Sequence, residues 1–157
     1  MSDLKIVAEP GRQDIVITRT FDAPREAVYE AMTDAESVAR WWGLDETDTR
    51  VEISDARPGG RWRYVEKGPD GAEYGFHGVF HDAVVPERIV QTFEFEGMPG
   101  HVAMDTYTLE EQDGRTLYTS VTVFQSVEDR DGMVASGMET GLSQSLDALE
   151  KLVTERV

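Results

Sequence analysis

Cysteine is missing from all 157 residues, which excludes disulfides, thiolate nucleophiles, thiol redox sensing and cysteine-held zinc or iron–sulfur sites together. Long apolar runs are missing as well. No stretch approaches the roughly 20 residues that cross a bilayer, and the opening MSDLKIVAEPGRQD has no basic region leading into an apolar one. Membrane insertion is therefore not expected, and a cytoplasmic location is. Basic residues are scarce: 15 Lys and Arg stand against 31 Asp and Glu, a formal charge of -16. Such a balance repels phosphate backbones and anionic headgroups, so no nucleic-acid partner is expected. The acids are scattered along the chain and read as a solubilising surface.

Catalytic signatures are absent too. There is no nucleophile elbow, Gly-rich phosphate loop, zinc-type histidine pair or EF-hand spacing. His77 and His81 are four residues apart, but on a strand that separates them by ~13 Å, too far to share a metal ion. His101 follows Pro99-Gly100 in a turn. Arg57, Arg61 and Arg63 surround a Pro-Gly-Gly turn, where neutralising an acidic surface explains them better than holding a carboxylate. Glu139 flanks a helix stripe and reads as a surface residue. No catalytic residue, metal or cofactor is expected.

What is present is a pattern of short elements. Asp14 to Phe21 alternates like a strand, and Asp22-Ala23-Pro24 opens a helix with Val28, Tyr29 and Met32 at helical spacing. Asp34 caps a second short helix that runs to Trp41 and Trp42 and stops at Gly43. Six further strands follow over 49–54, 60–67, 73–82, 88–95, 102–111 and 115–125, broken by turn residues, which signals an antiparallel meander. The count to test is seven strands. From Asp131 to Glu155 one long amphipathic helix is expected, with Val134, Met138, Leu142, Leu149 and Leu152 on its apolar face. That stripe has to be buried, and the sheet is the only large apolar partner. The chain reads as one α+β domain over 1–157, with 1–12 a loosely ordered leader.

Alternating positions offer Trp62, Tyr64, Tyr74, Phe76, Phe80, Phe93, Phe95 and Met104 to one sheet face, opposite Met138 and Leu142 of the helix. These ten side chains are the candidate lining of a cavity for a small apolar or aromatic ligand. They are also what a solid core would use. Gly141 and Ser145, small residues in the middle of the helix stripe, fit either close packing or space left for a guest. Gly78 lets its strand bend or admits another backbone.

Three stretches carry a family resemblance: VITRTFDAPREAVYEAMTDAESVARWWG (Val16 to Gly43), YGFHGVFHDAVVPERIVQTF (Tyr74 to Phe93) and GMETGLSQSLDALEKLV (Gly137 to Val153). Together they resemble the SRPBCC (START/Bet v-like) superfamily and, within it, homologues of the activator of the heat-shock protein 90 ATPase. The resemblance implies a helix-grip fold: two short helices after strand one, and a long C-terminal helix over a curved antiparallel sheet. It implies three functional classes. These are hydrophobic ligand binding, polyketide cyclase- or aromatase-like catalysis with hydroxyls such as Tyr64 or Tyr74 steering protons, and co-chaperone-like interaction with a chaperone partner. Edge strands or an aromatic exposed near Trp42 would support a homodimer.

Overall fold

The structure, a computed structural model, describes residues 3–156. β-branched alternation dominates the chain, and its product is one antiparallel sheet. The strands are β1 (Lys5–Val7), β2 (Asp14–Phe21), β3 (Asp48–Ser54), β4 (Arg61–Lys67), β5 (Glu73–Val84), β6 (Arg88–Phe95), β7 (Val102–Gln112) and β8 (Arg115–Val123). Their order is β1-β2-β8-β7-β6-β5-β4-β3. From β3 to β8 the chain is a meander, as the turn spacing predicts, and β2 closes the order by pairing with β8 from Asp14↔Val123 to Phe21↔Thr116.

Two expectations are corrected here. The sheet has eight strands and not seven, because the supposed leader supplies β1, with Ile6 opposite Ile17 of β2. Three residues were too few for the alternation to register. The C-terminal helix is two helices, α3 (Val127–Ala135) and α4 (Met138–Glu155), and α3 begins earlier than Asp131. Ser126 caps α3 by accepting from the Asp129 N–H at 3.0 Å. Gly137 breaks the run with φ of +82°, a left-handed conformation that costs glycine little. The two early helices are as expected: α1 (Arg25–Thr33) follows Pro24, and α2 (Ala35–Trp41) is capped by Asp34, which accepts from Ser37 N at 3.1 Å.

The core lies between the sheet and the helices. Ile15, Ile17 and Phe21 of β2 meet Val28 of α1, Val38 of α2 and Leu146, Leu149, Leu152 and Val153 of α4, none more than 4% exposed. Arg19 shares that inner face, where its guanidinium donates to Asp147 of α4 at 2.7 Å and reaches Glu150 at 3.5 Å. This ties α4 across the sheet. Among the described residues, no helix is long and apolar enough to cross a membrane.

Candidate functional site

Strand alternation and register bring the aromatic side chains together on the helix side of the sheet. Trp62, Tyr64 and Phe80 are 1%, 5% and 1% exposed and form a packed floor. From them an aromatic row runs outward. Trp62 lies 4.6 Å from Tyr64 and 5.9 Å from Phe93, ring centre to ring centre, Phe93 is 5.8 Å from Phe76, and Phe76 stacks on Phe95 at 5.1 Å. Trp42, at the end of α2, sets its edge against Tyr64 at 5.2 Å and Phe76 at 5.0 Å. Gly78 makes this possible: a Cβ there would come within 2.5 Å of Trp62 Nε1 and 1.9 Å of the Thr92 carbonyl, to which that indole donates at 3.1 Å.

The row is buried unevenly. Phe76, Phe93, Phe95 and Trp42 remain half-buried, as do Met138 and Leu142 of α4. Tyr74 is on the same side but 45% exposed, leaning on Phe95 at the rim. Met104 does not belong to the group. It is 44% exposed on the outer face, while Ala103, Asp105 and Leu109 of β7 point inward and are at most 5% exposed. Hydrophobicity favoured Met104 as the inward residue, but Ala103, Tyr107 and Leu109 fix the parity of the strand and carry Asp105 inside with them.

The small residues on α4 are accounted for by close packing. Ser145 Oγ accepts from Gly43 N at 2.9 Å and donates to Gly43 O at 2.8 Å, and a Cβ on Gly141 would touch Leu44 Cδ2 at 3.3 Å. The notch in the helix stripe thus receives the elbow between α2 and β3, not a guest. Gly43, at φ +104°, lies flat on Glu66 of β4.

Sequence reasoning missed two inward carboxyls. Glu66 is 6% exposed; its Oε1 accepts from Thr49 Oγ1 at 2.9 Å, and its Oε2 has no hydrogen-bond partner. Thr47 is near enough to favour the charge, but its hydroxyl donates to Leu44 O at 3.0 Å. Burial raises the pKa of Glu66. Asp105, 5% exposed, accepts from Thr122 Oγ1 at 2.7 Å on Oδ1; on Oδ2 it accepts from Tyr107 at 3.2 Å and Gln91 at 3.4 Å. Burial raises its pKa against the pull of those three donors. Burial first, and the Asp105 charge second, push the Tyr107 phenol well above its ordinary value, yet Tyr107, Gln91 and Thr122 are all only half-buried. The signal in the sequence was the shared parity of Asp105 and Tyr107 within an inward-facing apolar set.

The remaining polar candidates lie on the outer face of the sheet or in turns. Arg63 donates to Glu96 at 2.8 and 2.7 Å and also pairs with Glu52, while His77 Nδ1 meets Glu96 at 2.8 Å. Arg63 holds the Glu96 carboxyl down to about 2. Arg57 pairs with Asp55, and His101 pairs with Asp129 at 3.0 Å, which raises the pKa of the imidazole. Among the described residues no His, Asp and Glu group of three or more is placed to hold a metal ion. A groove of about 460 Å³ between α2 and α4, with Arg40, Asp45, Asp147, Lys151 and Glu155 beside Ala148 and Leu152 on its walls, is open to solvent.

The fold has counterparts among known proteins. Residues 22–154 match the family described as Activator of Hsp90 ATPase homolog 1-like protein. No curated protein is significantly similar to the chain in sequence. Protein Ms6760 from Mycobacterium smegmatis has a solved structure that is 25% identical, with a TM-score of 0.86 over 95% of each chain. A protein from Arthrobacter aurescens is 25% identical with a TM-score of 0.88, covering 96% of this chain and 91% of its own. One from Rhodobacter sphaeroides, at 22% identity, reaches 0.90 over 98% and 99%, a likeness of fold.

Proposed function

Because the chain belongs to the Activator of Hsp90 ATPase homolog 1-like family, with an α+β fold of helix-grip character, we propose that it binds a small apolar or aromatic molecule between the sheet and the N-terminal half of α4. One observation carries the proposal. Tyr107 stands mid-sheet on β7 among the inward side chains, and it still keeps accessible surface. On this reading, inward side chains that the helices leave partly uncovered line the seat of the guest. Gln91, Phe93 and Thr122 on the neighbouring strands share that half-buried state, and the aromatic row from Phe93 to Tyr74 leads from them to the rim. Aromatic walls with a few polar groups are the usual make-up of a small-molecule site. The space sits beside the packed core, so the guest's seat is narrower than the whole sheet–helix interface.

Catalysis of the cyclase type draws no support from its two candidate hydroxyls. Burial pushes the Tyr64 phenol well above its ordinary pKa, and Tyr74 is at the open rim.

The test is titration with the neutral fluorophore N-phenyl-1-naphthylamine, alongside native mass spectrometry of freshly purified protein. Saturable fluorescence enhancement is expected, lost in Leu142→Trp, whose indole would occupy the space while the fold persists by circular dichroism. Absence of saturable binding to the unaltered protein, or equal binding to a folded Leu142→Trp, would refute the proposal.

A further inference from the structure

Resting on that binding reading, we infer that the guest is an aromatic or apolar amine, whose ammonium group is accepted by Asp105 Oδ2 in the space bordered by Gln91, Phe93 and Tyr107. The two oxygens of Asp105 are held unequally. Oδ1 takes a hydrogen bond from Thr122 at 2.7 Å, an ordinary length for two oxygens, whereas Oδ2 has only Tyr107 at 3.2 Å and Gln91 at 3.4 Å. Both of those donors are only half-buried, so on the binding reading Oδ2 is the oxygen that a guest would meet. A carboxyl that is buried and weakly satisfied on one side gains more from a charged donor than a solvated carboxyl does, because folding has already removed its water.

The charges around it select against the opposite kind of guest. Among the described residues, the buried acidic and basic side chains on the helix side of the sheet are Arg19, Glu66 and Asp105, and Arg19 is occupied by Asp147 and Glu150. Arg130, the other buried cation, donates to the carbonyls of Asp14 and Glu9 and to Asp131. No cation is left there to receive a carboxylate head, as a fatty-acid ligand would require. Phe93, half-buried on the strand beside Asp105, suits a cation better than an anion, because aromatic rings attract positive charge to their faces. The formal charge of -16 draws cations toward the molecule from a distance.

The experiment compares three probes of one shape by isothermal titration calorimetry: tryptamine, neutral 3-propylindole and the anion indole-3-propionate. Tryptamine is expected to bind about tenfold tighter than 3-propylindole, the worth of one charged hydrogen bond, and indole-3-propionate weakest. Asp105→Asn should abolish the preference for tryptamine and leave 3-propylindole unchanged. If Asp105→Asn does not fold, Tyr107→Phe replaces it; removing a hydroxyl that competes for Oδ2 should tighten tryptamine alone. Binding of 3-propylindole or indole-3-propionate as tightly as tryptamine overturns the amine assignment and leaves the binding reading standing. If none of the three binds while N-phenyl-1-naphthylamine does, the amine assignment alone is overturned; if the fluorophore fails as well, both are.

Discussion

Along α4, Leu146, Leu149, Leu152 and Val153 are at most 3% exposed, whereas Met138 and Leu142, on the same stripe one to three turns earlier, are only half-buried. Both halves face one sheet, and the difference lies in what they face. The C-terminal half meets aliphatic and aromatic partners from β2, α1 and α2, and Arg19 clamps it through Asp147 and Glu150. The N-terminal half meets the loop after α2, where Gly141 lies against Leu44 and Gln144 accepts from the Asp45 N–H at 3.0 Å, and its Met138 and Leu142 only flank the core. One half of the helix is sealed into the core, and the other keeps Met138 and Leu142 partly accessible, as the binding proposal requires. Truncation separates them most sharply. Leu149→Ala is expected to cost about 3 kcal/mol in urea unfolding, as buried leucines do, and Leu142→Ala under about 1 kcal/mol. Equal costs would mean that the interior is packed from end to end.

The boundary between the halves is the clasp of Ser145 on Gly43, and its removal is the next largest effect. Ser145→Ala leaves a backbone N–H and a carbonyl without their partners at 2.9 and 2.8 Å. A loss of about 1–2 kcal/mol is expected by the same urea measurement. A variant as stable as the parent would show that the elbow is held by Leu44 and Trp42 packing alone.

Strands β2 to β8 were legible because their alternation runs for seven residues or more, and so were the two early helices, which carry Pro24 and Asp34 as start signals. β1 was not legible: Lys5–Val7 gains its identity only by pairing with Val16–Thr18 of β2. The joint at Gly137 was hidden because Met133 and Val134 continue the apolar period across it. At the candidate site, the aromatic row could be read as a set of inward positions, and Met104 could not, since parity within a strand is settled by the majority of its neighbours. The notch at Gly141 and Ser145 was visible, but its occupant is a loop about 100 residues earlier in the chain, a pairing no local pattern encodes. The same holds for Asp105, whose role depends on Thr122 and Gln91 from adjacent strands.

The smallest effect concerns the two acids on opposite faces of the sheet. Glu66, inside and unpartnered at Oε2, has a raised pKa, so the folded chain holds a proton that the unfolded chain releases. Its contribution to stability is complete below the unfolded carboxyl's pKa and is lost as pH rises through the folded value. Glu96, outside and held near 2 by Arg63, runs the other way: its contribution is present above the ordinary value of 4.5 and is lost as pH falls toward 2. Glu66→Gln should therefore match the parent near pH 4 and exceed it by about 1 kcal/mol at alkaline pH, the relief of one unsatisfied buried group. Urea unfolding from pH 4 to 9 reads the difference. A gain that does not grow with pH would mean that Glu66 ionises as freely inside the fold as outside it, and that the elbow at Gly43 does not seal it from water.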